Sequence, residues 1–381
     1  MTATLTSKVQ LVTIESIAIH RVRVPLVEPF RISNGAVTEK DAILVEARTK
    51  DGVVGWGEAS PMSGSFYSVE TPDSAWQALT ADLIPEVLDA GAFDVTNCFE
   101  RTRNLSDNAF AKAGLEGALW DAYANTRQVP LWQLLGAQPR SIPSGVAIGI
   151  YDQVDELLER VERYVSQGYK RVKIKIEPGW DVEPVAAILA RFSDVPLMVD
   201  ANGAYSIDDL EVFRELDTYS LMMIEQPFAR AAHAESAELQ RQLRTPICAD
   251  ESAESMEALE SLIAEGAAQI INIKLQRVGG LSEGRLMLER ARSAGLECWV
   301  GTMPELGVAS AQGLHFAALD GFSYPTDIEA SSRWYVDDVI EPQIEIDRNG
   351  FIEIPVGNGM GYRVSREKVQ KYSIDKAEFA A

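Results

Sequence analysis

Histidine and cysteine are scarce in this chain, with three of each among 381 residues. The histidines (His20, His233 and His315) form no HExxH motif and no pair at metal-ligand spacing, which argues against a zinc hydrolase. Three cysteines are too few for a disulfide scaffold and fit a reducing compartment, so we expect a cytoplasmic protein. The GxSxG motif of a serine nucleophile at a strand-to-helix turn is also missing.

Long apolar runs and an excess of basic residues are absent as well. No run approaches the ~18 apolar residues of a membrane helix, and the first residues lack the apolar core of a secretory signal. The net charge of −22 argues against nucleic acid or an anionic membrane as a partner. The length predicts two domains, or one large barrel with an addition.

From about residue 143, short apolar runs alternate with helical stretches at intervals of roughly 25 residues. The runs are GVAIGI (145–150), RVKIKI (171–176), PLMVD (196–200), LMMIE (221–225), PICAD (246–250), AQIINIK (268–274), ECWVG (297–301) and FSYPTDI (322–328). This alternation is typical of parallel βα units, and eight such strands close most economically into a (β/α)8 barrel. A doubly wound open sheet is the alternative, less favoured because no glycine-rich phosphate turn follows the first strand.

The two ends of the chain lack this repeat. Residues 1–130 combine strand-like and helical stretches and predict a small α+β capping domain. Residues 131–330 then form the barrel, and 331–381 return to the capping domain, with a hairpin predicted in IEPQIEIDRNGFIEIPV (340–356). The predicted fold class is therefore α/β, a modified TIM barrel with an N-terminal capping domain.

Charged residues close five consecutive apolar runs of the barrel. Lys175, Asp200, Glu225, Asp250 and Lys274 follow one another at intervals of 24 or 25 residues. The carboxyl ends of parallel barrel strands meet at the face where active sites are assembled. Buried charges persist when they are paired or bound to metal, so we expect these five side chains to form one site.

Asp200, Glu225 and Asp250 supply hard oxygen ligands, which suit Mg²⁺, with Mn²⁺ as a substitute. Lys175 and Lys274 would then flank whatever the metal holds. This arrangement suits removal of a proton α to a carboxylate, with a lysine as the base and the cation stabilising the developing charge. We therefore expect a small carboxylate as the substrate of a homo-oligomeric enzyme.

Lys173 lies two residues before Lys175, so both side chains project from the same face of a strand, ~6.6 Å apart. A lysine base needs its pKa lowered from ~10.4 towards ~7–8. Repulsion from Lys173 would help to keep Lys175 neutral, and Lys173 could also contact the substrate carboxylate.

With these residues, the chain resembles the enolase superfamily, in particular its muconate-lactonising-enzyme-like subgroup and the o-succinylbenzoate synthase / N-succinylamino acid racemase family. The supporting stretches are PFRISNG (29–35), GWGEASPM (55–62), AKAGLEGALWD (111–121), KIKIEPGWD (173–181), VDANGAY (199–205), IEQPF (224–228), DES (250–252), KLQRVGG (274–280) and DIEASSRWYVDDVIEP (327–342). The resemblance covers nearly the whole chain.

The resemblance implies a role for each matching residue. Lys175 and Lys274 would be the acid/base lysines, and Asp200, Glu225 and Asp250 the magnesium ligands. Additional residues implied at the site are Asn202 beside the metal, Arg277 tuning Lys274, and Phe30, Ser33 and Gly35 in a segment that covers the substrate.

Two departures from the family pattern concern the acyl arm of the substrate. The first departure is the stretch MPELG (303–307), which contains Glu305 and stands where relatives commonly have the motif Met-Leu-Glu-Ser/Thr-Gly. The second is Ala147, which stands where racemase-active members often have serine. The favoured activity is o-succinylbenzoate synthase, a lyase, with N-acylamino acid racemase as the alternative. A muconate-type cycloisomerase and a non-catalytic metal-binding scaffold are weaker candidates, since a scaffold needs the carboxylates but not two flanking lysines.

Overall fold

The computed structural model describes residues 11–32, 35–63 and 68–381. Ser33, one of the predicted site residues, lies outside these ranges. Within them, no helix is both long and apolar enough to cross a membrane. Cys98, Cys248 and Cys298 all lie in the described ranges and are free and buried.

An antiparallel sheet forms the N-terminal region. Its first strand is long and alternates mostly buried with more exposed residues, because successive side chains of a strand point to opposite faces. The described strands of this region are β1 (Val12–Ile32), β2 (Gly35–Thr49), β3 (Val54–Ala59) and β4 (Ala92–Phe93). β1 pairs with β2 up to Ile32 opposite Gly35, and β3 continues the sheet beyond β2.

Helices cover one face of this sheet. They are α1 (Pro72–Ala78), α2 (Ile84–Asp89), α3 (Val95–Thr102), α4 (Ala109–Arg127) and α5 (Leu131–Leu135), with a π-helical turn at Leu79–Leu83. α4 packs so tightly on β3 that a Cβ at Gly57 would lie 2.0 Å from the carbonyl oxygen of Gly114. Only glycine permits this approach of the two backbones.

A parallel sheet forms the second half of the chain. After the short β5 (Ser141–Pro143), the described residues 146–300 contribute seven strands, paired in sequence order. They are β6 (Val146–Ile148), β7 (Val172–Lys175), β8 (Leu197–Asp200), β9 (Ile224–Glu225), β10 (Ile247–Ala249), β11 (Ile270–Ile273) and β12 (Glu297–Val300). All except the first residue of β12 are buried, as expected for strands covered on both faces.

Helices follow the strands and pack outside the sheet. They are α6 (Val154–Ser166), α7 (Val182–Arg191), α8 (Leu210–Leu216), α9 (His233–Gln242), α10 (Met256–Glu265), α11 (Leu275–Val278), α12 (Leu281–Ser293) and α13 (Gly307–Ala317), with 3₁₀ turns at Ile207–Asp209, Asp217–Tyr219 and Glu251–Ala253. The predicted α/β barrel class is confirmed.

The eighth predicted strand, 322–328, is not a regular strand. Isolated parallel bridges join Phe322 to Cys298 and Thr326 to Ser144, so this segment still spans the gap between the last and first strands. Pro325 has no N–H to give to a ladder. The buried guanidinium of Arg171 donates to the carbonyl oxygens of Pro325 and Thr326 at 3.3 and 3.2 Å. A side chain thus replaces part of the ladder.

The C-terminal segment contains α14 (Ser331–Trp334), β13 (Ile340–Glu341), β14 (Phe351–Glu353), β15 (Arg363–Val364), α15 (Arg366–Tyr372) and β16 (Ser373–Ala380). The hairpin predicted at 340–356 is wrong, because β13 pairs with β15 and β14 pairs with β5. β16 lies antiparallel beside β1 and becomes an edge strand of the N-terminal sheet. The domain limits at residues 130 and 330 stay predictions.

Candidate active site

A cavity of about 40 Å³ lies between the carboxyl ends of the barrel strands and the N-terminal sheet. One part of its lining is apolar, and the other is polar or charged. The lining residues are Phe30, Ile32, Met62, Ala147, Met303, Pro304 and Trp334, together with Lys173, Lys175, Lys274, Thr302, Asp327 and Glu329. A larger cleft of about 610 Å³ lies elsewhere and includes Arg277 but none of these lysines.

The predicted strand-end charges meet at this rim of the barrel. Lys175, Asp200 and Glu225 are the last residues of β7, β8 and β9 and lie opposite one another in register. Asp250 and Lys274 come directly after β10 and β11. The carboxylate residues are fully buried, and Lys175 and Lys274 are only 5% and 2% exposed. These residues therefore do not lie on a solvent-exposed face of the sheet.

Each catalytic lysine predicted from the sequence contacts a different carboxylate. Lys175 Nζ donates to Asp200 Oδ2 at 2.5 Å, and Lys274 Nζ donates to Asp250 Oδ2 at 2.7 Å. The third carboxylate, Glu225, accepts from Asn272 Nδ2 at 2.6 Å. The two ammonium groups thus reach one cavity from strands that are four positions apart.

Burial and charge shift the pKa values of these carboxyl groups in opposite directions. Burial, with repulsion from Asp200, raises the pKa of Glu225 to about 8. Burial also raises the pKa of Asp200, but the ammonium groups of Lys175 and Lys173 together outweigh this effect, and the net pKa is lowered. The pKa of Asp250 is likewise lowered, because Arg277 and Lys274 outweigh the burial.

The pKa of Lys274 is raised in this arrangement, not lowered. Burial lowers it, but attraction to Asp250, Glu225 and Glu251 together outweighs that effect. Arg277 acts in the opposite direction and lowers the pKa of Lys274. Its Nη2 atom lies 3.4 Å from Asp250 Oδ1, so both cations share this carboxylate. The predicted tuning of Lys274 by Arg277 has a physical path through Asp250.

The donor atoms at the rim are of the chemical type that divalent cations bind. Asp200, Glu225 and Asp250 offer only oxygen atoms, and the negative charges of the other two raise the pKa of Glu225. As the side chains stand, the described residues contain no group of three or more His, Cys, Asp or Glu placed to hold a metal ion. Ammonium groups pair with Asp200 and Asp250 instead, and a cation would compete with them for the same oxygens.

Lys173 is surrounded by carboxylates, and it shares one of them, Asp200, with Lys175. Its Nζ atom donates to Asp327 Oδ2 at 2.5 Å and to Glu225 Oε2 at 3.1 Å, and lies 5.0 Å from the centroid of the Trp299 ring. Burial lowers the pKa of Lys173, but these carboxylates outweigh it and raise the pKa. Its positive charge is thus largely compensated, which weakens the predicted repulsion of Lys175.

Asp327 and Arg171 were missed by the sequence reasoning. Asp327 accepts from Lys173 and, through Oδ1, from Arg171 Nη2 at 2.7 Å. Arg171 shares the strand face of Lys173, and Asp327 stands at the end of the eighth apolar run. The pattern of charged residues at strand ends, which indicated Lys175, would also have indicated Asp327 as a site residue.

The remaining predicted residues differ in how close they lie to the carboxylates and the cavity. The backbone N–H of Asn202 donates to Asp200 Oδ1 at 3.0 Å, which places this residue beside the carboxylates. Phe30 lines the cavity and packs edge-on against Trp334, with 4.9 Å between ring centroids. Gly35 pairs with Ile32 and is not among the lining residues.

Glu305 does not line the cavity that contains the lysines. Its Oε1 atom accepts from the backbone N–H of Met303 at 3.0 Å, within its own turn. Burial, with repulsion from Glu58, raises the pKa of Glu305 to about 8. Glu305 lies instead beside an adjoining cavity, which shares Met303 and Trp334 with the first, and its contact with the acyl arm of a substrate stays a prediction.

Glu58 and Gln276 hold the N-terminal sheet over the barrel, and neither was singled out from the sequence. The carboxylate of Glu58 accepts from the backbone N–H groups of Leu306 and Ala309 at 2.8 and 2.9 Å, at the start of α13. Gln276 donates to the carbonyl oxygen of Glu58 and accepts from the N–H of Ser60, both at 2.8 Å. Because Gln276 is two residues from Lys274, these bonds fix the capping sheet directly beside the site.

Comparison with known proteins agrees with this geometry. The family model for the Enolase C-terminal domain-like region matches residues 156–368, and that for the Mandelate racemase / muconate lactonizing enzyme, N-terminal domain, matches residues 14–136. An o-succinylbenzoate synthase from Geobacillus kaustophilus is 41% identical over 362 residues, which cover 95% of this chain and 96% of that protein. An N-succinylamino acid racemase from an Amycolatopsis species is 39% identical, with 91% and 94% covered.

The same relationship holds in three dimensions. The crystal structure of an enolase superfamily member from Listeria innocua superposes with a TM-score of 0.93 at 34% identity, covering 97% of this chain and 99% of that one. The resemblance inferred from the motifs is confirmed. The chain belongs to the enolase superfamily, and within it to the family of o-succinylbenzoate synthases and N-succinylamino acid racemases.

Proposed function

We propose that this enzyme removes the proton α to the carboxylate of a small molecule, with Lys175 and Lys274 as the acid/base pair. One observation carries the proposal: both lysines are buried and line one cavity, each paired with a different carboxylate. Purely structural lysines in a barrel core would need one carboxylate each and no shared cavity. The apolar part of the lining suits the carbon skeleton of the substrate.

The favoured overall reaction is the dehydration catalysed by o-succinylbenzoate synthase. Lys175, as the free amine, takes the α proton and becomes an ammonium. It then gives that proton to the departing hydroxide, so water leaves and the double bond forms. Lys274 stays protonated and stabilises the negative charge that develops on the substrate carboxylate. The relative that carries this activity in its name supports the assignment.

Enzymes of this family generally depend on a divalent metal ion. We infer that Asp200, Glu225 and Asp250 hold Mg²⁺, which Mn²⁺ can replace. When bound, the ion supplies positive charge to the substrate carboxylate. The ammonium groups of Lys175 and Lys274 bind carboxylate oxygens of Asp200 and Asp250 that the metal would also use. We therefore expect metal binding to release the two lysines from these carboxylates, so that they can reach the substrate.

Racemisation of N-succinylamino acids is the second candidate. It requires Lys274 to exchange protons as readily as Lys175, each on one face of the α carbon. Arg277 favours this candidate, because it competes with Lys274 for Asp250 at 3.4 Å. The relative named as a racemase supports it as well.

A parallel assay of both reactions on one purified preparation tests the proposal. The protein, supplied with Mg²⁺, is given the dehydration precursor of o-succinylbenzoate and, separately, each enantiomer of several N-succinylamino acids. We expect kcat/KM to be higher for o-succinylbenzoate formation. A higher value for racemisation would favour the second candidate, and turnover of neither substrate would contradict proton abstraction as the function.

A further inference from the structure

Arg31 lies at the end of β1, between two residues that form the apolar wall of the cavity. Phe30 and Ile32 are 9% and 5% exposed and line the cavity. Because successive side chains of a strand point to opposite faces, Arg31 points away from the cavity, and its side chain is 49% exposed. Arg31 itself therefore contacts neither the lysines nor the space that a substrate would fill.

The guanidinium of Arg31 joins this strand end to two barrel loops at once. Its Nη1 atom lies 2.8 Å from Asp152 Oδ1, and its Nη2 atom lies 3.7 Å from Glu177 Oε1. Asp152 belongs to the loop after β6, and Glu177 lies two residues beyond Lys175 at the end of β7. A planar guanidinium suits such a double contact, because its donors point in fixed directions.

Backbone contacts bring the same strand end close to the barrel. The N–H of Ile150 donates to the carbonyl oxygen of Arg31 at 3.0 Å. A Cβ on Gly149 would lie 2.5 Å from that oxygen, so glycine is required at this position for the contact. The first barrel loop is thus shaped to receive the backbone of Arg31.

The end of β1 makes few pairing contacts with its own sheet. The pairing of β1 with β2 shifts register between Pro25 and Phe30, and only Phe30, Arg31 and Ile32 pair beyond this irregularity. Such a shift bends a strand and interrupts its ladder. The position of Phe30 and Ile32 over the cavity therefore depends on contacts made with the barrel.

We propose that Arg31 is a positioning residue, which holds Phe30 and Ile32 against the cavity through its ion pairs with Asp152 and Glu177. This inference rests on the proposed function, since it assigns the apolar wall to the body of the carboxylate substrate. The ion pairs act on substrate binding rather than on proton transfer, because Arg31 does not contact the reacting groups.

The variants Arg31→Gln, Asp152→Asn and the double variant test this role. Partly exposed ion pairs are individually weak, so KM should rise about three- to tenfold in Arg31→Gln, with kcat within about twofold of the wild type. The double variant should be no worse than Arg31→Gln alone. Raising the salt concentration should shrink the difference between wild type and variant, because salt screens exposed pairs.

Arg23→Gln is the matched control. Arg23 lies on the same strand with a side chain 47% exposed, but it pairs with Glu39 and Asp41 of the neighbouring strand rather than with the barrel. Its KM should stay at the wild-type value. Equal effects of Arg23→Gln and Arg31→Gln would overturn the proposal, and so would fully additive effects of Arg31→Gln and Asp152→Asn.

Amide hydrogen exchange gives a readout that needs no turnover. Residues 30–32 should exchange faster in Arg31→Gln than in the wild type, and at the wild-type rate in Arg23→Gln. Unchanged exchange in Arg31→Gln would overturn the positioning role even if KM rose. If the wild type processed neither substrate, the proposed function would fail, and the exchange comparison would still decide whether Arg31 holds this strand end.

Discussion

Glu225 is the carboxylate whose charge is least compensated by the cations at the rim. Lys175 and Lys274 contact Asp200 and Asp250, whereas Glu225 receives an amide donor from Asn272 and shares Lys173 with Asp327. Burial and the neighbouring carboxylates consequently raise its pKa to about 8. A divalent cation at this point would relieve the repulsion, and Glu225 is therefore the residue at which metal binding is tested most sharply.

Replacing Glu225 with alanine should weaken Mg²⁺ or Mn²⁺ binding at least about tenfold, because two carboxylates remain from three. Isothermal titration of the metal into the protein measures this directly. Glu46→Gln is the control, since Glu46 is also buried but lies on β2 of the N-terminal sheet and pairs with Arg366 of α15. Unchanged metal affinity in Glu225→Ala, or full activity of the wild type in excess chelator, would contradict the ligand assignment.

The segment at 322–328 shows how one element is replaced by side-chain contacts. Arg171 and Lys173 both reach Asp327, and Arg171 also binds the carbonyl oxygens of Pro325 and Thr326. The segment closes the gap between β12 and β6 without a continuous ladder. Asp327 therefore links barrel closure to the placement of Lys173 in the cavity.

Asp327→Asn should lower the free energy of unfolding by about 3 kcal/mol, because it leaves the buried guanidinium of Arg171 without its carboxylate and removes the shortest ion pair of Lys173. Urea unfolding followed by circular dichroism measures the change. Asp320→Asn is the control, since Asp320 pairs with Arg140 at the surface with a side chain 83% exposed, and its loss should matter little. Equal destabilisation by both substitutions would show that Asp327 is not a closing element.

The elements that were predictable from the sequence are those set by local periodicity. Alternation along β7 and the repeat of about 25 residues place Lys175 and Asp200 at one rim, and both facts are visible in the chain. The pairing of residues 340–356 was not predictable, because the two arms of the expected hairpin find partners at 363–364 and 141–143. The surroundings of Glu305 were not predictable either, because the turn after it is bound by Glu58, which is distant in sequence, and its role towards a substrate stays a prediction.

The buried ring of His315 contacts two other parts of the molecule that are distant in sequence. It belongs to α13, its Nδ1 atom accepts from the N–H of Trp132 at 3.1 Å, and its Nε2 atom lies 3.0 Å from the carbonyl oxygen of Met360. Burial lowers its pKa from 6.5 to about 4. Unfolded chains thus bind a proton at His315 between these two values, while the folded protein does not.

Wild-type stability should accordingly fall as the pH drops from about 6.5 towards about 4, with a contribution from His315 of up to about 3 kcal/mol. The measurement is the unfolding free energy of the wild type minus that of His315→Gln, at pH 7 and at pH 4.5. Other groups titrate alike in both proteins and largely cancel. The difference should shrink at pH 4.5, and an identical difference at both values would refute the assignment.

Two lysines that reach one cavity from opposite sides of the barrel sheet are the central feature of the proposed function. Lys175 ends β7, and Lys274 follows β11, four strands further round the barrel. Their ammonium groups pair with different carboxylates and line the same cavity. Each lysine should therefore serve one face of the substrate, and each face corresponds to one enantiomer of an N-acylamino acid.

Exchange of the α proton in D₂O, followed by NMR on separate enantiomers of an N-succinylamino acid, tests this feature most directly. Lys175→Ala should stop exchange for one enantiomer and Lys274→Ala for the other, while o-succinylbenzoate formation is lost in Lys175→Ala and falls steeply in Lys274→Ala. The result that would contradict the account is exchange of both enantiomers at the wild-type rate in either single variant.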